Sequence, residues 1–115
     1  PDIFALGDVC NTPNAKTAAA TRKQVVVVAE NLLALRKGAV LPKRYDGYGS
    51  CPLTVENGKV ILAEFGYGGK LLPTFGLDPT VARTSAWWLK ATFLPWFYWQ
   101  GMLKGREWFT DCKPD

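Results

Sequence analysis

The sequence predicts an α+β fragment of three unlike pieces: the closing strand and helix of a parallel α/β sheet, a small antiparallel β-sheet with an Asn-Gly hairpin, and C-terminal amphipathic, aromatic-rich helices. Three observations predict it. An apolar run, Ile3 to Leu6, ends in Gly7-Asp8 and leads through a loop into alanine-rich sequence. Two β-prone runs flank Asn57-Gly58 in "LTVENGKVILAEF". All five tryptophans fall in "SAWWLKATFLPWFYWQGMLKGREWF". The pieces divide the chain near 1–38, 39–80 and 81–115, with no internal repeat.

Each element has its own justification. Ile3 to Leu6 is fully apolar, as in a strand buried on both faces of a parallel sheet. After a loop with Asn11, Pro13 and Asn14, Thr17 to Lys37 reads as helix: the alanines before "VVVV" and the "AENLLALRK" after it outweigh four β-branched residues. Gly38 stands at the terminating C′ position, and Arg36 and Lys37 suit the negative end of the helix dipole. Asn57-Gly58 suits a type I′ turn, and a further strand is expected near Leu71 to Phe75 after the glycine-rich "GYGGK". Pro95 should force Leu94 out of helical geometry, giving two short helices that meet at the proline. Neither reaches the roughly 20 apolar residues of a membrane span.

Composition narrows the function classes. With 115 residues, 48% hydrophobic and 21% charged, the chain can fold around one small core, too little for a nucleotide-binding domain plus a catalytic one. There is no initiator Met, and the apolar run begins at Ile3 without lead-in, so the chain reads as the tail of a longer protein. Fourteen basic against ten acidic residues give +4, dispersed and without a dense basic block, which argues against nucleic acid as a partner. Three cysteines without CxxC spacing and no histidine point to neither a zinc site nor a disulfide framework.

Two places could carry chemistry. A buried strand ending in Gly7-Asp8 would set a flexible backbone and a carboxylate at the mouth of an α/β sheet, where nucleotide cofactors bind, and a carboxylate accepts hydrogen bonds from sugar hydroxyls. The start of the following helix, at Lys16, Thr17 and Ala18, offers unpaired N–H groups, a partial positive charge and an ammonium, the groups that would hold the anionic edge of a reduced flavin. The plain alternative is a turn followed by a helix that Thr17 caps and the alanines dock. Cys51 lies in "GYGSCPL", where glycines open the backbone and Pro52 fixes the strand entry, so its thiol is expected on a loop with the access that thiolate chemistry needs. Cys10 and Cys112 read as inert small hydrophobes. In the tail, the charges between Val81 and Arg106 are all positive and interleaved with tryptophan, a composition suited to helices lying in one lipid leaflet; the alternative is a pair of core helices.

Taken together, "DIFALGDVCNTPNAKTAAATRKQ", "YDGYGSCPLTVENGKVILAEFGYGGKLLPTF" and "LPWFYWQGMLKG" resemble the C-terminal portion of a sulfide:quinone oxidoreductase, within the FAD-dependent pyridine nucleotide-disulfide oxidoreductase superfamily. "IFALGD" is shared with many flavoprotein reductases; "YDGYGSCPL" followed by "ILAEFGY" is the specific part. The resemblance implies that residues 1–38 close an FAD-binding Rossmann-type domain. It implies FAD as cofactor, with Asp8 on the ribityl or pyrophosphate part, Gly7 permitting its approach, and Lys16 and Thr17 near the pyrimidine edge of the isoalloxazine. Cys51 matches the redox cysteine, whose partner lies outside this chain. Hydrogen sulfide and quinone are the implied substrates, with sulfide oxidised through a cysteine disulfide and a persulfide and electrons passing through FAD to quinone. The implied setting is monotopic, the C-terminal helices on a membrane surface, with the fragment alone inactive. A type II NADH:quinone dehydrogenase or a flavocytochrome c sulfide dehydrogenase flavin subunit would share Asp8 and the helix without depending on Cys51. A non-catalytic membrane-surface module is the third reading. The edge at Ile3 to Leu6 is also a route to a homo-oligomer.

Overall fold

Helix α1, Ala18–Arg36, forms where the sequence places it, and its ends are made by the residues flanking it. The Thr17 hydroxyl accepts a hydrogen bond from the Ala20 N–H, the usual N-cap arrangement. At the other end Gly38 N–H donates to the Leu35 carbonyl and Ala39 N–H to that of Ala34, the paired bonds of a Schellman motif. The computed structural model describes residues 3–73, 76–106 and 108–112. These divide into two compact units: the described residues of Pro1–Gly49, Phe65–Lys70 and Thr110–Asp115 form one, and those of Ser50–Glu64 and Leu71–Phe109 the other.

In the first unit, α1 turns a stripe of Ala20, Lys23, Gln24, Val27 and Asn31 inward at helical spacing. Three of these five are polar, so the helix docks as much by hydrogen bonds as by apolar burial. Asn31 binds both the N–H and the carbonyl of Lys43, at 3.0 and 2.9 Å, pinning the segment that leads toward Tyr45. The expected strand at Ile3 to Leu6 is not there. Leu6 has extended dihedrals, yet the run pairs with no strand and Ile3 is 87% exposed. Extended backbone becomes strand only when a neighbour completes the ladder, and these four residues find none among the described residues.

The second unit holds most of a two-stranded antiparallel sheet, β1 Gly49–Glu56 and β2 Lys59–Phe65. Asn57 and Gly58 join the strands, but Asn57 keeps a negative φ while Gly58 has φ +78°. A type I′ turn needs positive φ at both residues, so that expectation is corrected: the positive angle is confined to the second position. Past β2, the Leu72 N–H donates to the Glu64 carbonyl at 2.9 Å; Thr74 and Phe75, the end of the expected third strand, lie outside the described residues. Arg83 exchanges both backbone bonds with Val60 in an antiparallel bridge, and Val60 is fully buried.

The expectation for Pro95 is also corrected. Helix α2, Thr84–Trp88, runs through a π turn, Leu89–Phe93, directly into α3, Leu94–Gln100. Leu94 is helical, with φ −62° and ψ −41°. Its N–H reaches five residues back, to the Leu89 carbonyl, which widens the helix just before the proline. A proline in a regular α-helix removes a donor and collides with the carbonyl four residues earlier; the π turn shifts that register and relieves both effects. Phe97 is the buried residue of α3, stacked on Phe93 at 5.7 Å and on Trp108 at 5.8 Å.

Candidate functional site

Gly7, Asp8, Lys16 and Thr17 all lie in the first unit, and the structure gathers them around the start of α1. Gly7–Val9 form a 3-10 turn entered from extended Leu6. Gly7 has φ +70°, a backbone angle that favours glycine, and a Cβ added there would lie 3.7 Å from the Thr21 hydroxyl, so the turn rests against the first turn of the helix. Its N–H donates to Gln24 Oε1 at 2.8 Å. Asp8 is exposed, and its carboxylate has no hydrogen-bond or ion-pair partner among the described residues.

Lys16 does more than lend charge to the helix end. Its ammonium donates to the Cys10 carbonyl at 2.7 Å and to the Thr12 carbonyl at 2.8 Å, folding the 10–12 loop back on itself and leaving one of its three donors. Thr17 spends its hydroxyl on the Ala20 N–H, while the N–H groups of Ala18 and Ala19 have no acceptor inside the helix. The first turn of α1 carries no acidic residue to neutralise them. The arrangement therefore offers donors and positive potential beside a free carboxylate.

Cys51 belongs to the second unit. Its thiol is free and partly buried, but it lies within β1 as the third residue of the strand, not on a loop as expected. From the sequence, Pro52 reads as the strand entry. In a sheet of two strands each strand keeps an open side, where the missing N–H of Pro52 costs no ladder bond, so β1 starts earlier, at Gly49. Lys90, in the π turn, donates to the Pro52 carbonyl at 2.9 Å and to the Thr54 hydroxyl at 2.7 Å, which holds a cation on the strand that carries Cys51. Among the described residues no group of three potential metal ligands converges, and no helix is long and apolar enough to cross a membrane.

No family profile matches the chain. Whole-sequence comparison finds clear relatives. Over 108 residues, 94% of this chain, it is 43% identical to a mitochondrial sulfide:quinone oxidoreductase of Dictyostelium discoideum, of which it covers 24%. It is 40% identical to the mouse protein of the same name, over 91% of this chain and 23% of that one. The Schizosaccharomyces pombe counterpart is 40% identical over 95% of this chain and 25% of its own length. The chain belongs with the sulfide:quinone oxidoreductases. It spans about a quarter of the length of these relatives.

The first unit holds a second set of residues that the sequence pattern alone did not single out. Lys23 and Gln24 are adjacent on α1 and both buried; Gln24 holds the Gly7 N–H, and Lys23 reaches the segment that precedes Cys51 in sequence. Lys23 Nζ lies 3.0 Å from Asp46 Oδ2, donates to the Asp111 carbonyl at 3.0 Å, and stands 4.5 Å above the Tyr48 ring. Tyr45 donates its hydroxyl proton to the Tyr48 carbonyl, and burial first, then the Asp46 carboxylate, pushes its phenol far above the ordinary value. A signal for them existed: polar residues at the same helical spacing as Ala20 and Val27 fall on the inward stripe, where a polar side chain needs a partner.

Proposed function

We propose that the chain is the C-terminal part of an FAD-dependent sulfide:quinone oxidoreductase associated with one membrane face. The observation that carries this is 40–43% identity to three proteins of that name over 91–95% of the chain, the matched stretch including the "YDGYGSCPL" segment. In this reading FAD, when bound, would supply the two-electron redox chemistry that links sulfur to quinone.

The donor set around α1 suits such a cofactor. The Ala18 and Ala19 N–H groups and the remaining Lys16 donor would face the electron-rich pyrimidine edge, while exposed Asp8 would accept hydrogen bonds from ribityl or ribose hydroxyls. Lys16 acts partly through the 10–12 loop that it folds. Cys51 takes part in the sulfur half of the reaction. Hydrosulfide attacks a disulfide between Cys51 and a cysteine elsewhere in the protein; one sulfur becomes a persulfide and the other leaves as thiolate. The partly buried, free thiol of Cys51 fits a group that must be reached by a small anion.

The exposed tryptophans of the tail, Trp88, Trp96 and Trp99, with Lys104 and Arg106 beside them, support a seat at the lipid headgroup layer, where quinone is supplied. The decisive experiment is Cys51→Ser in the whole enzyme. Sulfide-dependent quinone reduction should fall at least a hundredfold with FAD content retained, and unchanged turnover would remove Cys51 from the mechanism.

A further inference from the structure

Lys90 is the second residue of the π turn, and it spends two of its three donors on β1, at the Pro52 carbonyl (2.9 Å) and the Thr54 hydroxyl (2.7 Å). All of these residues belong to the second unit. Pro52 has no N–H to lend a ladder, and a strand residue points its nitrogen and its carbonyl to the same side, so Lys90 meets β1 along the edge that β2 leaves open. The far edge of β2 is closed as well. There Val60 exchanges both backbone bonds with Arg83, at 3.2 and 2.9 Å, and Arg83 is the N-cap residue of α2. From Arg83 to Lys90 the helical rise is about 10 Å, comparable with the width of a ribbon whose two strands lie about 4.8 Å apart. The α2 segment thus straddles the hairpin and fastens both of its outer edges. Side chains alternate along a strand, so Thr54 and Cys51 project from opposite faces, and Lys90 grips β1 from the face that the thiol does not use.

We propose that Lys90 is a positioning residue for Cys51: it takes the part of a third strand along the open edge of β1 and holds the backbone at the residue next to the thiol. Its meaning for catalysis rests on the reading of Cys51 as the redox cysteine. A hairpin of two strands is marginal by itself, and without Lys90 the first strand would be held by β2 alone. The thiol would then be presented from a strand free to fray. A lysine that commits its donors to a protein strand in this way also differs in role from the cations assigned to the headgroup layer, Lys104 and Arg106.

The test uses the whole enzyme with Lys90→Met, Lys90→Arg, Thr54→Val and the Lys90→Met, Thr54→Val double variant. Three quantities are read: hydrogen exchange at the β1 amides, the rate at which sulfide bleaches the flavin anaerobically, and the rate at which quinone reoxidises enzyme reduced beforehand with dithionite. Lys90→Met is expected to speed β1 exchange roughly tenfold and to slow bleaching at least fivefold, with quinone reoxidation at the wild-type rate. Lys90→Arg keeps donors for both acceptors and should return bleaching to within about threefold of the wild type. Thr54→Val should speed β1 exchange about threefold, and the double variant should go no further than Lys90→Met, because both residues serve one contact. Unchanged β1 exchange in Lys90→Met, equal slowing of both half-reactions, no recovery in Lys90→Arg, or effects that multiply in the double variant would each overturn the proposal. Should Lys90→Met not fold, Thr54→Val decides through the same exchange measurement. Undiminished bleaching in Cys51→Ala would defeat the redox reading of Cys51, whereas β1 exchange tests the clamp in either case.

Discussion

Lys23 carries a charge into the interior of the first unit, where it has an ion pair, a carbonyl and an aromatic face around it. Removing one member of a buried pair costs far more than the pair itself contributes, because the survivor keeps its desolvation cost without its counter-charge. Lys23→Met should therefore destabilise the protein by about 3 kcal/mol, seen as a fall in apparent melting temperature, while Lys23→Met with Asp46→Leu should recover part of the loss. Tyr45 gives a pH-dependent counterpart. Its phenol ionises near 10.0 when unperturbed, and burial in the folded state raises that value. The stability this contributes is complete below pH 10 and is lost as pH rises toward the folded-state value. Unfolding followed against pH should show a loss above pH 10 that Tyr45→Phe flattens; the same slope in both proteins would assign the loss to other groups.

Elements show which features the sequence could reveal and which it could not. The bounds of α1 were legible because Thr17, Gly38 and the alanines act locally, through a cap, a Schellman motif and intrinsic propensity. Ile3 to Leu6 forms no strand among the described residues because strand identity depends on pairing partners that a local pattern does not contain. Pro95 was misread for another reason: the rule for the residue before proline assumes regular α geometry, and the π turn at Leu89–Phe93 changes the register first. The loop before β1 supplies a test. Gly47 has φ +79°, and a Cβ there would lie 2.4 Å from the Tyr67 ring. Gly47→Ala should cost about 3 kcal/mol, combining an unfavourable backbone angle with displacement of that ring. Gly58→Ala, at a turn with nothing within 4 Å of the added carbon, should cost less, so thermal denaturation of the two variants separates crowding from backbone angle.

At the scale of the whole molecule, the exposed apolar surface matters most. Val25, Leu32 and Leu33 stand on the outer side of α1, and Trp88, Trp96, Trp99 and Leu103 on the tail. Where such side chains form a contiguous patch, something normally covers it. Our account assigns the outer side of α1 to the rest of an enzyme about four times longer, and the tail to lipid. The sequence announced the tail through its composition; it did not show that Trp88 is 58% exposed while neighbouring Trp87 is half-buried, since that depends on which face Phe97 anchors. Trp88→Ala, Trp96→Ala and Trp99→Ala together should lower co-sedimentation of the whole enzyme with cardiolipin-containing phosphatidylcholine vesicles at least tenfold, and undiminished binding would return these residues to a protein interface. The most direct test concerns the sulfur of Cys51. Mixing the oxidised whole enzyme anaerobically with sulfide and following flavin absorbance should show rapid bleaching in the wild type and almost none in Cys51→Ala with its flavin still bound. Equal bleaching in both would contradict the account.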